Sequence, residues 1–303
     1  MKQLNRWVYA IVGVIVLLFA GLVYAWSVLS TPIGAEFTGW TKAQLSLTFT
    51  LVMILFCIGS LLCGLLAGRL SAKNAVRLGA VLFLAGFFIA SRCQSPLTLY
   101  LGFGVLCGLG SGLSYNAVMS TMVRWFPDRP GLISGVLLMG YGASSLVLGS
   151  LAAKLIATPG FGWHLTYILT GALLLAAAFI GLPFILPPKQ EADVRTAAPS
   201  RGLTPRQMLR TKRFYLFFAA AVIGTGYGSG LIAHARYIFL EGGAPEATAT
   251  LAVGLVSVMN GLGRIIFGML HDRCGFRVSL LADALLYIAA GAVAALSLGG
   301  SYA

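Results

Sequence analysis

Gly268-Met269-Leu270-His271-Asp272-Arg273-Cys274-Gly275-Phe276-Arg277 has the form G-x-x-x-D-R-x-G-x-R and follows an apolar run long enough to cross a bilayer. A decayed copy, Gly64-Leu65-Leu66-Ala67-Gly68-Arg69-Leu70-Ser71-Ala72-Lys73, follows an earlier run of the same kind, with Gly68 and Ser71 in place of the acid and the second glycine. Self-similarity at this distance points to a duplicated helical unit. An acid at a helix end can bind neighbouring guanidinium groups and hold two helix bundles in one arrangement, while glycine permits a tight turn. Gly268, Asp272, Arg273 and Gly275, with Arg69 of the first copy, are therefore expected to act in gating.

Outward from these loops, apolar runs of spanning length occupy residues 7–29, 45–68, 75–91, 98–122, 130–156, 165–187, 213–240, 247–270 and 277–299. They are continuously apolar without period-two alternation, so helices are expected and barrel strands are not. Of the 303 residues 58% are hydrophobic and 10% charged, against about a quarter charged in a soluble domain, which leaves no composition for a watery surface. The first run is too long for the apolar core of a signal peptide and is expected to remain as a helix. Five cysteines, odd in number and without paired ligand spacing, suggest packing and not metal or disulfide chemistry.

Charge placement sets the orientation. Sixteen of the 21 lysines and arginines fall in the N-terminus and in alternate loops, while the loops between hold only Lys42 and Arg92. That bias places the N-terminus in the cytoplasm of a multi-pass cell-membrane protein. It also disposes of nucleic acid as a partner, since the net charge of +13 is spread over short gaps between spans. Residues 188–212 (PKQEADVRTAAPSRGLTPRQMLRTK) form the longest polar gap. The expected organisation is a six-helix bundle over 1–187, a cytoplasmic linker over 188–212, and a partial second bundle of three helices over 213–303.

The paired loops resemble the signature of the major facilitator superfamily. Within it, two stretches look like the oxalate/formate antiporter family, which is similar to the monocarboxylate transporters. One is Tyr24-Ala25-Trp26-Ser27-Val28-Leu29-Ser30-Thr31-Pro32 with Gly39-Trp40-Thr41 and Gln44. The other is Arg124-Trp125-Phe126-Pro127-Asp128-Arg129-Pro130-Gly131, where relatives carry a second basic residue at position 130. Asn260-Gly261-Leu262-Gly263-Arg264 agrees with the same family. The resemblance implies an all-α major facilitator fold of twelve helices, of which nine are present, so the chain is expected to be a C-terminally truncated piece.

Arg264 lies inside an apolar run, where an isolated cation costs at least about 2.5–3.5 kcal/mol, so it is expected to face a wet cavity and meet an anion. Asn260 is one turn before it on the same face, and reads equally as an interhelical hydrogen-bonding residue. The related proton symporters carry an acid there, so its absence favours exchange. The resemblance assigns Tyr24, Tyr115 and Tyr141 to the pathway, with Gln44 and His234 as further polar candidates. Tyr24 and Trp26 differ by about 200° around an α-helix and are not expected to share a cavity. Glycines 104, 108 and 112 mark a close-packing face.

The expected function is secondary transport of a small mono- or dicarboxylate by exchange through alternating access. Proton-coupled monocarboxylate symport is the second transport reading, and a non-transporting sensor or scaffold in the membrane is the reading of another class. No catalytic motif, metal site or cofactor site is expected.

Overall fold

The computed structural model describes residues 4–188, 203–241, 243 and 245–299, and among these there is no strand. Six helices form the first bundle: α1 (Arg6–Glu36), α2 (Lys42–Leu65), α3 (Ala72–Ser91), α4 (Pro96–Trp125), α5 (Pro130–Ala157) and α6 (Gly162–Phe184). Each is long and apolar enough to cross a membrane. A single turn, Pro205–Met208, precedes α7 (Lys212–Glu241). The run Glu246–Gly299 is broken at Gly275 into α8 (246–274) and α9 (276–299).

The predicted spans find helices, and the ends differ for local reasons. Helix α1 continues seven residues past the expected stop, through Pro32. Here the Thr31 hydroxyl donates to Ser27 O at 2.8 Å, one residue before the Val28 carbonyl that Pro32 leaves without its helical donor. Helix α2 starts earlier, at a reciprocal cap in which Thr41 and Gln44 satisfy one another's backbone. Four helices also leave α-geometry, α6 only in a closing 3₁₀ turn over Leu182–Phe184. Helix α1 tightens to a 3₁₀ turn over Gly21–Ala25, and α4 and α5 widen to π turns over Tyr100–Cys107 and Ser145–Gly149.

Close backbone approach holds the first bundle. Gly104, Gly108 and Gly112 of α4 all face α2, and a methyl at Gly108 would come 2.8 Å from Val52 O. Apolar lipid tails give helices no hydrophobic reason to associate, so contact of this closeness supplies the attraction through dispersion.

The chain divides into two compact units, Met1–Pro188 with Arg264–Arg273, and Lys189–Gly263 with Cys274–Ala303. One piece of α8 thus packs with the first bundle, which the expected boundaries did not anticipate. Residues 189–202 of the expected linker lie outside the described residues. In the second unit α7 and α9 meet through Tyr227 and Tyr287, and the Tyr287 hydroxyl donates to Gly224 O at 3.2 Å.

Candidate functional site

Arg264 reaches α5 because α5 is bare there. A methyl at Gly135 would strike the Arg264 backbone, and one at Gly142 would lie 3.2 Å from the guanidinium Nη1. Nη1 donates to Leu138 O at 2.7 Å. Among the described residues no carboxylate pairs with this arginine. A guanidinium carries five donors, so one anchoring bond fixes its position and leaves the rest of the fork available.

The three predicted tyrosines come together beside it. Tyr24, on the 3₁₀ turn of α1, meets Tyr141 of α5 edge to face at 5.4 Å between centroids, and Tyr115 of α4 lies 5.2 Å from Tyr141. Arg264 is within electrostatic reach of Tyr24 and Tyr115. Neither of those hydroxyls bonds within the described residues, and Tyr24 is 40% exposed. Tyr141 differs. Ser111 donates its one proton to Ala20 O at 2.8 Å, so the 2.7 Å contact between Ser111 Oγ and the Tyr141 hydroxyl requires Tyr141 to donate. Its phenolic proton is committed inside the protein and is not free for a carboxylate.

The other candidates separate. The Gln44 carboxamide accepts from Thr41 N at 2.8 Å as part of the α2 cap. Asn260 is exposed one turn before Arg264 on α8. His234 falls within α7, and its side chain lies outside the described residues. Tyr24 and Trp26 both line a cavity of about 430 Å³ between α1 and α2, against the expectation that they diverge. The 3₁₀ turn upsets the α-helical phase on which that expectation rested. Trp26 contributes only an edge there, being 7% exposed with its indole N–H donating to Leu45 O at 3.1 Å.

At the end of the bundle carrying the N-terminus, the signature loop takes a definite form. Asp272 accepts from Gly131 N and Leu132 N, both at 2.7 Å. These are two of the orphan donors of α5's first turn, where a carboxylate also meets the positive end of the helix dipole. The acid thus meets a helix terminus, a partner that the sequence pattern did not suggest. Gly268 packs so closely on Gly131 that neither could carry a methyl without a backbone shift. Gly275 holds φ 76° and ψ 176°, a region open essentially to glycine alone, and so ends α8. Arg273 and Arg69 are exposed. In the first copy Gly64 and Gly68 face open space, while Ser71 caps α3 by accepting from Asn74 N at 3.3 Å. The two loops share a pattern and differ in what they touch.

The Arg124–Gly131 stretch accounts for much of this end. Asp128 takes Arg6 in a bidentate pair of 2.6 and 3.0 Å, and that hydrogen bonding holds its carboxyl below the ordinary value. Phe126 packs on Trp7 at 4.9 Å beneath the Arg6 guanidinium, and Trp125 stacks on Tyr9 at 4.2 Å. Sequence reading missed the Arg6–Asp128 pair, although a lone acid in a basic loop is a signal for one. At the opposite end Glu36 accepts from the Trp163 indole at 2.6 Å and lies 3.5 Å from His164, tying α1 to α6.

The family model for the Major Facilitator Superfamily matches residues 10–303. The chain belongs to that superfamily. Curated relatives of this superfamily member include an uncharacterized MFS-type transporter, YhjX, of Escherichia coli (strain K12), 28% identical over 89% of this chain and 67% of its own length. The oxalate:formate antiporter of Oxalobacter formigenes is 26% identical over 99% of this chain and 75% of its own. Monocarboxylate transporter 11 of Homo sapiens is 33% identical over 69% of this chain and 44% of its own. A crystal structure of a double-tryptophan XylE mutant covers 88% of this chain and 70% of its own, with a TM-score of 0.56 at 14% identity, a likeness of fold alone. The protein is thus an all-α, multi-pass member of a transporter superfamily.

Proposed function

We propose that this protein is a secondary transporter of a small organic anion, a mono- or dicarboxylate, working by exchange through alternating access. The observation that carries the reading is Arg264. A cation inside a spanning helix is anchored by one arm to Leu138 O at 2.7 Å, has no acidic partner among the described residues, and lies beside two unbonded phenols. Charge at such depth is costly, and a substrate carboxylate is the counter-charge that offsets it. Tyr24 and Tyr115 supply neutral donors to the same group, and Tyr141 positions them. The names of two relatives, an oxalate:formate antiporter and a monocarboxylate transporter, support a carboxylate. Absence of an acid at Asn260 supports exchange over proton symport.

Asp272 and Gly268 serve as the gate at the N-terminal end, and the lysine and arginine distribution supports a cytoplasmic position for that end. The test is counterflow of labelled oxalate and formate in proteoliposomes, with and without a protonophore. Saturable counterflow indifferent to the protonophore is expected. Arg264→Lys, which keeps charge and loses the planar fork, should weaken binding. Arg264→Gln should cost about ten- to a hundredfold in affinity, the worth of one charged hydrogen bond. Normal anion affinity in a well-inserted Arg264→Gln variant would overturn the assignment.

A further inference from the structure

The cavity between α1 and α2 has a chemistry of its own. Its lining residues combine Lys42 with Ser27, Ser30 and Ser46, and Tyr24 and Phe49 form part of the wall. No acid lines it. Among the described residues neither Lys42 nor any of the three serine side chains makes a hydrogen bond or ion pair, so one cation and three hydroxyls stand unused around one space. Lys42 also opens α2, whose helix dipole adds partial positive charge at that point.

We propose that this chamber is a second anion subsite, a recruitment site that holds a small carboxylate loosely before it reaches Arg264. The inference rests on the carboxylate reading above and extends it to a new place. A volume of about 430 Å³ exceeds a small carboxylate, so the anion keeps part of its hydration and is held by water-bridged and hydroxyl contacts. Weak holding suits the purpose, because an anion bound tightly here would not move on. Tyr24 is the link: its ring lines the chamber and meets Tyr141 at 5.4 Å, within the cluster beside Arg264. Lys42 therefore raises the local anion concentration on one face of the membrane only, the face of the α1–α2 loop.

The distinguishing measurement is the half-saturating concentration of oxalate and formate taken separately from each face, in right-side-out and inside-out vesicles. Lys42→Gln should raise it about two- to fivefold from the α1–α2 face, the worth of one exposed charge interaction. The maximal rate and the value from the other face should not change. The dependence on ionic strength at the α1–α2 face should flatten, since the screened term has gone. Lys42→Arg should behave as the wild type. Saturable uptake in which Lys42→Gln is indistinguishable from the wild type, or is altered equally from both faces, would overturn the recruitment site and leave Arg264 standing. A wild-type protein that takes up neither these anions nor other small mono- or dicarboxylates would overturn both readings together.

Discussion

Replacing Asp272 by Asn tests the signature loop at the two atoms it serves. Gly131 N and Leu132 N, in the first turn of α5, each donate to the carboxylate at 2.7 Å. A hydrogen bond to a charged group contributes roughly 1.5–3 kcal/mol, and a neutral one about 0.5–1.5. Asparagine can accept from one of the two amides, but its NH₂ then faces the other donor. The change therefore converts one charged bond to a neutral one and removes the second, a loss of about 2.5–4.5 kcal/mol. At 1.4 kcal/mol per tenfold, hydrogen–deuterium exchange at Gly131 and Leu132 should accelerate by about 60- to 1,600-fold. Ile133 provides the internal control, since its N–H bonds to Arg129 O at 3.2 Å and does not depend on Asp272. Unchanged protection at Gly131 and Leu132 in a folded Asp272→Asn protein would refute the account. Equal loss at Ile133 would show general fraying of the helix instead of release of the contact.

Two further outcomes follow from neighbouring geometry. Gly268→Ala should lower the apparent melting temperature in detergent, at a cost of about 1–3 kcal/mol for an overpacked contact, while Gly64→Ala, facing open space at the equivalent place in the first copy, should leave it unchanged; equal effects would deny the difference between the loops. Tyr141→Phe should reduce stability by about 1 kcal/mol with little change in anion affinity, whereas Tyr24→Phe should do the reverse; a joint thermal and counterflow measurement separates them, and an affinity loss confined to Tyr141→Phe would contradict the donor assignment.

What could be read from the sequence followed from what the bilayer demands. Spans α1 to α6 are legible because no other structure satisfies a backbone across twenty apolar residues. The intact signature was legible in its glycines, and Gly275 takes the conformation that only glycine adopts readily. Asp272 was legible as a tether but not in its partner, because a helix terminus contributes donors that no side-chain pattern reveals. Tyr141 was found, yet its role turned on where the single proton of Ser111 goes, a matter of three helices meeting. Gln44 is the reverse case: Thr41-Lys42-Ala43-Gln44 is itself a capping pattern, and the local reading should have taken precedence over a distant pathway role. Departures from α-geometry in α1, α4, α5 and α6 escaped entirely, since apolar runs have the same composition on either side of a wide or narrow turn.

Those wide turns bear on how such a chain can change length. In a uniform α-helix every added residue swings all that follows by about 100° around the axis. Ser111 would then leave Ala20 O, and Tyr141 would leave Ser111. A π turn already carries one residue more than the α-helical count, so a deletion within Tyr100–Cys107 can be absorbed by reverting to α-helix without rotating the residues beyond. The same holds for Ser145–Gly149 with respect to the end of α5. Within membrane-crossing helices, where ordinary loops are unavailable for length variation, these two stretches are the places where related chains can differ by a residue and still aim the same side chains at the same partners.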